Sequence, residues 1–145
     1  MQELDALRDC YQSYLTYTRT LRRKTSPLAG ALGFGGGAKD DPGHMRFYEQ
    51  AKAEAEDLLA ASPTPQEAGE AVTLMLRAEE EHRDNDLAVW ALMAAQHHAI
   101  PLIGLLTRED AGALLEWYRR RYPRHKRLPA QEEVLRALKN RAAGR

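Results

Sequence analysis

An all-α domain of five to six helices is what this sequence predicts, and three observations predict it. Residues 87–106 run for twenty positions without a formally charged side chain, in a chain of which 29% is charged. Elsewhere apolar residues recur at helical spacing, in stripes bounded by helix-cap residues. No segment alternates with the period of two that a half-buried strand needs. We expect one domain over residues 1–145, organised around a buried central helix at about 86–99, with a long glycine-rich loop over 25–43.

The uncharged run is apolar on every helical face, so it is either buried on several sides or crosses a membrane. A bilayer span is excluded by its contents. Gln96, His97 and His98 would lie in mid-span, Pro101 would interrupt the hydrogen-bond ladder, and the flanks show no Lys/Arg asymmetry to orient it. A chain of this size can bury about 68–70% of its unfolded surface without staples. Cys10, the only cysteine, allows no internal disulfide and suits a reducing compartment. Glu3 and Asp5 stand where a signal peptide carries cations, so cytoplasm is the expected location.

The first helix, residues 2 to about 24, sets Leu4, Leu7, Tyr11, Tyr14, Thr18 and Leu21 at alternating steps of three and four. Arg19, Arg22, Arg23 and Lys24 near its end favour the helix dipole. Six of the ten glycines then fall between residues 25 and 43, where Leu28, Leu32 and Phe34 are the apolar pegs. Gly33 to Ala38 fits a dinucleotide-binding spacing on paper. A helix rather than a strand precedes it, and no Gly-Lys-Ser/Thr ending makes a phosphate loop, so nucleotide binding is not read here.

Asp41 and Pro42 open the second helix as N-cap and first helical residue, with Phe47, Ala51, Ala55, Leu58 and Leu59 as its buried stripe. Thr64 and Glu67 form a capping box for the third, whose inward face is Ala68, Ala71, Val72, Met75 and Ala78. Asp84 or Asn85 is expected to cap the central helix, which Pro101 kinks or ends. Thr107 caps the next, burying Ala111, Leu114, Leu115 and Tyr118, and the last runs from Pro129 to about residue 143 on Val134, Leu135 and Leu138.

Two constellations could carry chemistry. Glu79 and His82 have the i, i+3 spacing by which one helix offers a carboxylate and an imidazole to one metal, but no second such pair accompanies them. His97 and His98, adjacent inside an apolar helix, cannot both face water, so at least one is expected to be buried and its ring nitrogens satisfied. His44, His82 and His97 or His98, with Glu79, could converge on a divalent metal. The basic run Arg119, Arg120, Arg121, Arg124, Lys126 and Arg127, interleaved with Trp117, Tyr118 and Tyr122, suits an anionic partner.

Net charge decides little between these, being zero overall but divided along the chain. Residues 1–39 carry six cations against three acids, residues 40–86 four against thirteen, and residues 87–145 eleven against five. The basic end can pair with the acidic middle of the same chain, and the domain lacks the excess of cations common in nucleic-acid binders, so nucleic acid is allowed but not favoured. The expected function is a non-enzymatic module, without cofactor or catalytic residues, binding a protein, a second copy of itself or an anionic partner. The alternative is a metal-dependent helical bundle built on His44, Glu79, His82, His97 and His98.

Overall fold

Side-chain caps mark the starts of three of the described helices. The computed structural model describes residues 1–21 in full, the backbone of residues 22–24, and residues 41–144. Helix α1 (Gln2–Lys24) is followed by α2 (Pro42–Ala60), where the Asp41 side chain accepts from the Gly43 amide, and by α3 (Pro65–Glu81), where the expected Thr64–Glu67 capping box forms in both directions. Then come α4 (Asp86–Ala95), a 3₁₀ turn (Gln96–Ala99), the single turn α5 (Ile100–Ile103), α6 (Arg108–Arg121) under a Thr107 cap, a second 3₁₀ turn (Arg124–Lys126), and α7 (Pro129–Ala142). No strand occurs among the described residues, so the architecture is all-α as expected. The glycine-rich loop and its pegs Leu28, Leu32 and Phe34 lie outside the described residues.

Helices α1 and α2 form an antiparallel pair. The seam of α1 turns inward, and Tyr11 meets the Phe47 ring edge-on with centroids 5.0 Å apart while Tyr14 stacks on it at 4.1 Å. Such pairs add roughly 0.5–1.5 kcal/mol to the area they bury. At the open end of the pair the Tyr17 hydroxyl donates to Asp41, and a Cβ on Gly43 would strike the Tyr17 ring. Glycine at this position leaves room for the exposed Tyr17 ring to lie over the start of α2. Helices α6 and α7 make the second hairpin, closed where Arg141 donates to the Leu106 carbonyl.

The central segment packs between these hairpins and α3, and one continuous apolar core runs through Leu7, Leu58, Met75, Leu92, Leu102 and Leu138. Two expectations need correction. Asn85 stands at the N-cap position of α4 as expected, but its side chain makes no cap hydrogen bond: it is buried, and its amide nitrogen donates to the Leu15 carbonyl and to Thr18 Oγ1, tying the start of α4 to the middle of α1. The long-range pair satisfies the amide nitrogen, while Oδ1, the atom a side-chain cap would use, is buried without a partner among the described residues. Leu59, placed on the buried stripe of α2, is 37% exposed, whereas Leu58 carries the contact.

Pro101 neither ends the helical run nor bends it alone. Lacking an N–H, and with a ring that would strike the carbonyl four residues earlier, it forbids an ordinary α-turn over His97. The chain responds by tightening one turn in advance: Gln96–Ala99 is 3₁₀, the Ile100 amide donates to the His97 carbonyl, and Pro101 sits in the first turn of α5. The central helix thus spans Asp86–Ala95, and the polar triplet at its end lies in the tightened turn. No described helix is long and apolar enough to cross a membrane.

Candidate functional site

The tightened turn determines which of the two histidines is buried. His98 is turned inward, 9% exposed, with its ring 4.4 Å from that of Tyr48 on α2. His97 points outward and pairs through Nδ1 with Glu133 Oε2 of α7 at 3.1 Å. The expectation that one of the pair is buried holds. Not all of its ring nitrogens are satisfied there, since the enclosed His98 Nε2 has no partner among the described residues.

Helices α2 and α7 both lean on the Gln96–Ile103 strip, one from each side, and leave the outer edge of that strip uncovered. The result is a furrow of about 640 Å³ with Ala55, His98, Ile100, Pro101 and Ala137 along its floor. Its α2 bank carries Tyr48, Glu49, Lys52 and Glu56, and its α7 bank Glu133, Arg136 and Asn140. A second hollow of about 450 Å³ adjoins it and shares Tyr48, His97 and Glu133; Trp90, Met93, Leu128 and Pro129 complete its wall. Together they make a trough running along α7 from Pro129 to Asn140, roughly 16 Å at the helical rise.

Trp90 is 69% exposed at the edge of the trough. This corrects the expectation of a buried central helix on one of its faces. Of the face that Asp86, Trp90, Met93 and His97 share, Asp86 and His97 are also exposed and Met93 is half-buried. The signal was present in the sequence, because an apolar face that begins with an acid and ends with a histidine reads as a face meeting water.

The residues expected to hold a metal do not converge. Glu79 is buried on α3 and receives Arg121 Nη2 at 2.6 and 2.8 Å and the Tyr122 hydroxyl at 2.9 Å. His44 lies against α1, its Nδ1 2.6 Å from the Tyr14 hydroxyl, and His82 occupies the C-cap of α3. Among the described residues no group of three His, Cys, Asp or Glu side chains is placed to hold an ion. Comparison with protein families, curated proteins and solved structures gives no match. The site must therefore be read from its own geometry.

The basic run is divided by the fold. Arg121 is consumed by Glu79, with Glu80 3.7 Å from its Nε, and Arg127 donates to the Tyr122 carbonyl and to Glu132. Neither remains available to a partner, because each compensates a carbonyl or carboxylate of this chain. Arg119 reaches Glu116 at 3.5 Å, while Arg120, Arg124 and Lys126 form no ion pair among the described residues. The interleaved aromatics are also withdrawn: Tyr118 and Tyr122 are buried, and the Trp117 indole donates to Glu80 beneath the stacked Arg77 guanidinium.

Burial holds the His98 imidazole below its ordinary value of 6.5, and the neighbouring His97 and Lys52 act in the same direction. The Tyr48 backbone and Glu49 oppose them more weakly. The folded state thus refuses a proton that the unfolded chain accepts, so His98 costs stability as pH falls from the unfolded value through the lower folded one. We expect the urea midpoint to drop across that window and the drop to be smaller in His98→Gln. Equal pH slopes for the two proteins would show that His98 takes up its proton in the folded state without penalty.

Proposed function

We propose that this chain is a binding module whose working surface is the trough between α2 and α7, and that its occupant is an amphipathic helical segment of another protein. One observation carries the reading: an exposed tryptophan lines the smaller of two adjoining hollows, the larger of which has an apolar floor. Tryptophan and tyrosine anchors beside such hollows supply most of the energy of protein interfaces. The shape favours a helix, since two helix banks about three turns long, laid over an apolar floor, are the form in which a helix is taken into a groove. No catalytic role is needed. Cytoplasmic residence belongs to the same proposal, supported by the single, unpaired Cys10.

Selection of displayed random 16-residue peptides against the whole protein tests this. Enriched peptides are expected to lose about 2 kcal/mol, roughly thirtyfold in affinity, on Trp90→Ala. Trp90 is mostly exposed, so its removal spares the fold, which the melting temperature of the variant checks. Binders indifferent to Trp90 but lost on Arg120→Ala and Arg124→Ala would move the site to the basic connector and an anionic partner, the second reading that the three unpaired cations favour. Light scattering of the protein alone covers the remaining occupant. A mass that doubles with concentration in the natural protein and not in Trp90→Glu would give the surface to a second copy and overturn a foreign partner.

A further inference from the structure

The floor of the trough holds one titratable side chain, and that side chain is sealed in. His98 is 9% exposed, and its enclosed Nε2 meets no acceptor among the described residues. An imidazolium donates from both ring nitrogens, so a proton taken up here puts a positive charge out of reach of water and leaves its Nε2–H without a partner. The surroundings do not make up that loss. Around the ring stand Glu49, Lys52 and Glu56 of α2, His97 of the same turn, and Glu133 and Arg136 of α7. The last turn of α4 and the whole of α5 carry no titratable side chain, and no charged residue of α3 lines the hollow. Glu49 and the Tyr48 backbone favour the proton, but burial, then His97 and Lys52, act against it and prevail.

Resting on the trough being a docking site, we infer that His98 is a proton switch on it: the floor takes its occupant while this ring is neutral and releases it when the ring is protonated. A charged ring has to leave its enclosure for water, which breaks its packing on Tyr48 and disturbs the floor between α2 and α7. An occupant laid over Ile100 and Pro101 closes that way out, so binding and protonation exclude one another. Affinity then follows the fraction of molecules whose ring is neutral. That fraction is near one at neutral pH and falls about tenfold for each pH unit below the point where the folded ring titrates. The coupling is reciprocal, so an occupant weakens the hold of His98 on its proton by the same factor. His97 is not the switch. It is exposed and beside Glu133, and it takes up a proton without leaving its place.

The test uses displayed amphipathic helices built from Leu, Ala, Gln and Lys, side chains that titrate nowhere between about pH 5 and 7.4, selected on the natural protein at the upper value. Affinity is then measured downward to the lowest pH at which the proteins keep their circular dichroism. For the natural protein it is expected to fall, approaching about tenfold per pH unit. His98→Gln is expected to show a level profile, and His97→Gln to keep the natural slope. The His98 ring resonance, followed by NMR in the natural protein, is expected to titrate at lower pH with peptide bound than without. A level profile in the natural protein, a slope that survives His98→Gln, or a ring that titrates at the same or higher pH with peptide bound would overturn the switch while leaving the docking reading standing. Binding that Trp90→Glu leaves intact would place the peptides elsewhere and overturn both.

Discussion

Replacing Arg121 with alanine is expected to lower the unfolding free energy by about 3–5 kcal/mol, the range for removing one partner of a buried ion pair. The reason lies in what stays behind. The Glu79 carboxylate is 8% exposed and receives three hydrogen bonds, two of them from Arg121. Without the guanidinium it keeps only the Tyr122 hydroxyl, and a charge enclosed by α3 and α6 is left uncompensated. The pair itself is worth much less than this loss. Converting both residues to methionine should therefore recover most of the stability, since apolar replacement of a whole buried pair is often neutral. Urea unfolding of the natural protein, Arg121→Ala and the double variant checks both statements. A loss under about 1 kcal/mol in the single variant would mean that water reaches Glu79 and takes over from the arginine.

The same pair shows where the sequence was legible and where it was not. Helix placement follows from local chemistry, and it was readable. Thr64 with Glu67, Asp41 with Pro42, and Thr107 are caps that act within three residues, and all three act as expected. The seam of α1 and the stripe of α7 were readable for a related reason, since a helix with one apolar stripe has only one way to face a core. Glu79, Asn85 and Arg121 were misjudged because their partners lie 42 to 70 positions away in the chain, and spacing carries no information about such pairs. In each case the side chain is engaged by a group far along the chain, which local spacing does not reveal.

The candidate site was half legible. The anomaly of two adjacent histidines in an uncharged run located the strip that became the floor of the trough. What converts that strip into a site is the pair of helices leaning on it from either side, and those contacts join residues 48–59 with residues 97–101 and 133–140. Trp90 was hidden by averaging: a run that is apolar as a whole was treated as buried as a whole, although its face from Asp86 to His97 meets water.

Gln96 joins the fold to that site, and Gln96→Ala is expected to cost about 3 kcal/mol. Its side chain is fully buried and makes three bonds: Tyr118 donates to Oε1 at 2.9 Å, and Nε2 donates to the Leu76 carbonyl at 3.0 Å and to the Tyr122 hydroxyl at 2.9 Å. Alanine removes all three and leaves a cavity. Tyr122 keeps Glu79 as an acceptor, but the Tyr118 hydroxyl keeps nothing, and an orphaned buried hydroxyl alone costs about 1–3 kcal/mol. Gln96→Leu, which refills most of the volume, should recover the cavity part and no more. Because Gln96, Tyr122, Glu79 and Arg121 form one bonded chain, Gln96→Ala and Tyr122→Phe should be non-additive by about 0.5–3 kcal/mol in a double-mutant cycle. Additivity within about 0.3 kcal/mol would show that the chain of bonds does not act as a unit. Gln96 is also the first residue of the 3₁₀ turn that sends His97 outward to Glu133 and His98 inward to Tyr48. Releasing it removes the anchor of the floor between α2 and α7, so peptides selected on the trough should lose affinity for Gln96→Ala although none of them reaches residue 96.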